Sequence, residues 1–152
     1  MLIALLLGAV GSLILVRSYG FLAPNHGLGK EVLIIEGWLG DEELLQAAGL
    51  LGKGNYRFVI TTGGPLVQGG FLSGFKTYAQ LSQASLQKIG VIKPVYAVPA
   101  PAVRKDRTYA SALAVHRWLA GQHPDVNAFD LLTAGPHARR SHMLYQSAFG
   151  DE

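Results

Sequence analysis

After a strongly apolar opening, the chain alternates short, β-branched apolar runs with longer segments whose apolar positions recur at helical spacing. The short runs are Val32 to Glu36 (VLIIE), Arg57 to Thr61 (RFVIT), Val95 to Pro99 (VYAVP) and Phe129 to Thr133 (FDLLT). The helical segments are Asp41 to Leu51, Thr77 to Ile89, Thr108 to Ala120 and Ala138 to Phe149. Half-exposed antiparallel strands would alternate apolar and polar residues, whereas near-continuous apolar runs set between helices suit a parallel sheet covered on both faces. The pattern therefore predicts an α/β fold, a Rossmann-like doubly wound parallel sheet of about four strands. Local signals agree: Gly40-Asp41 caps the first of these helices, Gly90 ends the second and Asp106 stands just ahead of the third. The glycine-rich stretch from Thr62 to Gly74 is longer than most connections between a strand and its helix.

The opening itself is a different kind of segment. Met1 to Val16 carries no charged side chain, and the apolar pattern resumes beyond Arg17 as far as Leu22. A membrane span needs roughly 20 apolar residues, a length reached here if Arg17 extends to the interface beside Tyr19 and Phe21. A cleaved signal peptide and a buried core helix are the alternatives; the first lacks a basic leading region and a small-residue cleavage site. The expected organisation is an N-terminal transmembrane anchor over residues 1–22, a linker over 23–31 and an α/β domain over 32–152. Arg17 and Lys30 follow the apolar segment, so the positive-inside rule taken literally keeps the domain cytoplasmic. A basic segment upstream of Met1 would reverse that. A doubly wound sheet normally runs from such a helix into another strand, so the stop after the last helix predicts a C-terminally incomplete domain.

Composition narrows the chemistry. At 152 residues the chain has the length of one ordinary domain, and 49% hydrophobic against 15% charged residues is on the apolar side for a fully soluble protein. The net charge of +3 is spread along the chain without a basic tract, which argues against nucleic acid as a partner. The absence of cysteine excludes disulfides, thiolate metal sites and cysteine nucleophiles, and leaves the compartment open. No G-x-S-x-G elbow, phosphate-binding P-loop or dinucleotide fingerprint is present. His137 and His142, five residues apart, do not share one helix face, so no metal site is expected.

In an open parallel sheet, ligands bind beyond the carboxyl ends of the strands, where the strand order reverses. The segments following the four runs are polar or glycine-rich. Thr62, Gly63 and Gly64 allow a backbone to approach a ligand, with hydroxyls available as donors; a simple strand-ending turn is the alternative. Arg107 faces the crevice while Asp106 or Thr108 caps its helix, and capping alone explains half of that segment. Gly135-Pro136 fits a helix entry with proline at the first helical position, placing His137 in the first turn and Arg139 and Arg140 close behind. Free backbone N–H groups, the positive helix end and an arginine together suit a phosphate or carboxylate. The arginines are otherwise solvated or paired with Asp130 and Glu152, and His142 and Tyr145 most simply meet water or the core edge. Glu36 ends the central strand as a general base, metal ligand or hydrogen-bond acceptor, and its burial calls for a partner such as Arg107 or Arg139. Trp38 either stacks on a ligand or covers the core, and the core is preferred.

Three of these motifs, in order, resemble the bacterial DUF218 family, also called YdcF-like or SanA/ElyC/YdcF. They are Thr62-Gly63-Gly64, Asp106-Arg107-Thr108-Tyr109-Ala110-Ser111-Ala112, and Thr133 through Arg140. Glu36-Gly37-Trp38-Leu39 replaces the glycine-rich first motif commoner in the family and resembles a distinct subgroup. The resemblance runs from Val32 to about Phe149. It implies a Rossmann-like fold, a single-pass anchor in the inner membrane with the domain on its outer side, and a link to envelope biogenesis without an established reaction. Thr62, Gly63, Gly64, Arg107, Thr108, His137 and Arg140 are the residues that match its motifs. The functional expectation is an anionic, phosphate-containing small molecule or lipid-linked precursor bound by Thr62, Gly63, Gly64, Arg107, Thr108, Arg139 and Arg140. Glu36 and His137 handle protons if a reaction occurs. A non-catalytic factor that stabilises an envelope assembly, and a soluble nucleotide-type enzyme, are the competing expectations. The sequence leaves the cofactor open.

Overall fold

A computed structural model describes residues 2–25, 27 and 29–150; within the first helix it leaves aside the side chains of residues 2–7, 9 and 15. Five helices and four strands follow one another as α1 (Leu2–Leu22), β1 (Val32–Glu36), α2 (Asp41–Lys53), β2 (Phe58–Gly63), α3 (Tyr78–Lys88), β3 (Val95–Pro99), α4 (Arg107–Gln122), β4 (Phe129–Leu132) and α5 (His137–Gly150). Every strand pair is parallel and the order is β3-β2-β1-β4. The sequence pattern thus yields the expected four-stranded parallel sheet, with each strand within two residues of its predicted bounds.

Two apolar layers explain why the strands read as unbroken apolar runs. Leu33, Ile35 and Val59 point to one face and pack against Leu44, Ala47 and Leu51 of α2 and Leu86 of α3. Val32, Ile34, Phe58 and Ile60 point to the other, against Ala112, Val115 and Leu119 of α4 and Tyr145 and Ala148 of α5. Both faces are buried, so neither register position of a strand can be polar without a partner. The step from α2 and α3 on one face to α4 and α5 on the other occurs at α4, which carries the chain from the β3 edge across to β4. The strand order therefore reverses between β1 and β4, and the switch point lies beyond their carboxyl ends.

Helix ends differ in part from expectation. Thr77 caps α3 in a full capping box, its hydroxyl accepting from Gln80 N while the Gln80 side chain accepts from Thr77 N. Gly90 follows the helix at φ 92°, a left-handed position that suits glycine. Gly40 precedes α2 without a side-chain cap, and Asp41, Glu42 and Glu43 crowd its first turn instead. Asp106 also makes no side-chain cap; it precedes α4 in a left-handed conformation, φ 54°, and its carbonyl accepts from Ala110 N. Among the described residues no helix is long and apolar enough to cross a membrane. Of the anchor expected over residues 1–22, the side chains of 1–7, 9 and 15 lie outside that description, as does the expected arginine partner Glu152.

A buried carboxylate at the β1/β4 switch point

Residues alternate between faces along a strand, so Glu36 belongs with Val32 and Ile34 and points toward α4 and α5. It is the last residue of β1 and only 2% exposed. Isolated burial of a carboxylate is prohibitive, so its partners decide what it is. Trp38 Nε1 donates to Oε2 at 3.1 Å, and Ser141 Oγ lies 3.1 Å from both carboxyl oxygens. Thr133 Oγ1, just past β4, donates to Oε2 as well. Neither arginine expected beside it is there: among the described residues the ion pairs belong to Arg57, with Asp125 at 2.6 Å and Glu31 at 3.6 Å. Glu36 is held by neutral donors, which spares the site the desolvation of a second buried charge.

The α5 face that reaches it repeats every three to four residues. His137, Ser141, Tyr145 and Ala148 lie one above another, and the last three are buried. Tyr145, expected to meet water or the core edge, is buried within the core, yet its hydroxyl has no hydrogen-bond partner. Burial pushes the phenol well above its usual pKa, and the nearby Glu36 carboxylate pushes it further. His137 is exposed at the top of the same face and meets the Trp38 ring edge-on, with centroids 5.2 Å apart. Trp38 is 42% exposed and so does not cover the core; it walls the Glu36 site instead.

The helix entry at this point is tighter than the sequence suggests. Gly135 sits at φ 47°, Pro136 precedes the helix by one residue, and His137 N and Ala138 N donate to Ala134 O and Gly135 O. These amides are satisfied within the turn, so they are not free to cradle an anion. The positive helix end and the two arginines remain. Arg139 lies over the Phe21 ring of α1, 3.8 Å from guanidinium carbon to centroid, and Arg140 is exposed. The Tyr19 hydroxyl also approaches Gly135. The C-terminal end of α1 thus stands at the mouth of the site.

The remaining expected residues lie elsewhere along the strand ends. Thr62 and Gly63 belong to β2 rather than to a loop, and Thr62 is buried with its hydroxyl donated to Val98 O at 2.9 Å. A Cβ on Gly63 would come within 2.8 Å of Tyr78 Cβ, and one on Gly37 within 2.6 Å of Tyr78 O and 2.8 Å of Thr62 O. These glycines let α3 close onto the strand ends. Gly64 faces the backbone of Ala100 and Pro101. Arg107 and Thr108 open α4 after the connection that follows β3, and β3 lies two strands from β1. Beside them Pro101, Lys105, Tyr109 and Arg117 line a hollow of about 290 Å³; a larger one, about 550 Å³, lies between α2 and α3. Neither hollow contains Glu36.

Ser141 and Thr133 were not among the expected site residues. Their signal was present in the sequence: β1 parity sends Glu36 to the α5 side, and Ser141 lies one turn from His137 on the face that also carries Tyr145. Among the described residues no group of three histidine or acidic side chains is placed to hold a metal. No family model, curated protein or solved structure matches the chain.

Proposed function

We propose that the chain is a bilayer-attached, Rossmann-like domain of the DUF218 type that binds an anionic, phosphate-containing small molecule or lipid-linked precursor of envelope biogenesis at the β1/β4 switch point. The observation that carries this reading is Glu36, a buried carboxylate held by Trp38, Thr133 and Ser141 at the position where open parallel sheets bind ligands. A buried carboxylate close to a buried phenol that has no hydrogen-bond partner supports reading this point as a site rather than as plain core. Arg139, Arg140 and the α5 helix end supply positive potential at the mouth, and His137 stands between mouth and floor. Anion at the mouth and carboxylate at the floor keeps the two negative charges apart.

The α1 helix supports attachment to lipid. Its described apolar residues Val10, Leu13, Ile14 and Val16 are exposed, and its apolar character runs all round the axis rather than along one stripe. Its end abuts the site, so a substrate carried in the bilayer would reach Glu36 without leaving the surface. Placement of the domain on the outer side of the inner membrane belongs to the same reading.

A thermal-shift series on the full chain in detergent, against inorganic phosphate, sugar phosphates, nucleotides and prenyl phosphates, tests it. A rise in melting temperature with a phosphate ligand, reduced by Arg140→Ala and retained by Glu36→Gln, is expected; no shift with any anion on the folded chain overturns it. The non-catalytic assembly factor has one observation in its favour: protein donors already engage both Glu36 oxygens. On that reading Glu36→Gln leaves function intact.

A further inference from the structure

The long connection after β2 is not slack chain. Tyr78 N donates to Gly64 O, Leu66 N to Lys76 O, and Pro65 bridges Thr77, so its two arms pair like a short ribbon. At the tip, Gly69 takes a left-handed conformation and its carbonyl accepts from both Leu72 N and Ser73 N. This closed turn holds Phe71 and Leu72 side by side with both side chains fully exposed. A folded tip that presents its two largest apolar side chains to water is an interaction surface. It projects from the carboxyl edge of the sheet, the same edge that meets the end of α1 at Gly135 and Arg139, and β2 lies two strands from β4. Exposed basic residues follow that edge: Lys76 at the foot of the ribbon, Arg104, Lys105 and Arg107 after β3, and Arg140 on α5.

We infer that the Phe71–Leu72 tip dips into the surface of an anionic lipid bilayer, as a second contact beside α1. This rests on the attachment of α1 to lipid proposed above. The occupant follows from the combination on one edge: apolar side chains for the acyl boundary, cations for the headgroups, and a helix without a polar face leaving from the same side. The two contacts set the domain with its carboxyl edge, and the Glu36 mouth, against the headgroups.

The chain contains no cysteine, so a single introduced thiol reports without background. Phe71→Cys and, as control, Ile92→Cys are made in the full chain and labelled with an environment-sensitive fluorophore; Ile92 is equally exposed but lies between α3 and β3 at the opposite edge. Each is reconstituted with vesicles of phosphatidylcholine and phosphatidylglycerol, and flotation is measured on the same samples. The label at position 71 is expected to shift to the blue, brighten several-fold and be quenched by brominated lipid, while that at 92 stays wet. A floating chain with position 71 as wet as 92 overturns the tip contact and leaves the α1 reading standing. A blue shift without quenching by brominated lipid assigns the tip to a protein surface, which also overturns it. A chain that does not float removes α1 attachment and the tip contact together.

Discussion

Glu36 decides what the site can be, because its carboxylate is the common acceptor of Trp38, Thr133 and Ser141. Glu36→Ala leaves buried donors unpaired and opens a void, so a loss of about 3 kcal/mol in a denaturant titration is expected. Glu36→Gln keeps the volume and an acceptor and is expected to lose less than half of that. Tyr145→Phe runs the other way: it removes a buried hydroxyl that has no partner, and stability is expected to stay level or rise by up to about 1 kcal/mol. A clear loss for Tyr145→Phe in the same titration would mean that the hydroxyl is engaged in solution.

The helices and strands were the legible part, because two buried faces force unbroken apolar runs and amphipathic stripes that survive any detail of packing. The local chemistry at their ends was less so. Thr62 and Gly63 read as a ligand loop because a threonine-glycine pair serves a turn, a strand end or a close packing contact equally well; only the position of Tyr78 separates these. Arg139 read as a partner for Glu36 because sequence gives proximity along the helix but not which neighbour covers it, and Phe21 does. Close approach of α3 to the strand ends is itself testable. Gly37→Ala would drive a methyl into two backbone carbonyls and is expected to cost toward the upper end of about 1–3 kcal/mol, read as a lowered melting temperature. Thr77→Ala, which removes the capping box without touching the strands, is expected to cost about 1 kcal/mol by the same measurement.

For the molecule as a whole, two buried phenols set an alkaline limit. The Tyr56 hydroxyl donates to Asp130 at 2.9 Å; burial first, then this bond and the Asp130 charge, push its pKa up to about 12. Tyr145 is raised in the same direction. An unfolded tyrosine ionises near pH 10, so above that the unfolded chain loses protons that the folded one keeps. The stabilisation is complete below about pH 10 and falls away as the pH climbs toward about 12. Urea midpoints measured across that interval should drop steeply, and Tyr56→Phe should flatten the slope; an unchanged slope in that variant would remove Tyr56 from the account. The sheet order adds a consequence in time. Thr133 and Ser141 reach Glu36 across 97 and 105 positions of chain, and β4 finds β1 only after α4 has spanned the sheet. Contacts so distant in sequence are slow to close. Until they do, Glu36 lacks its Thr133 and Ser141 donors, so the enclosed carboxylate is completed only once β4 and α5 are in place.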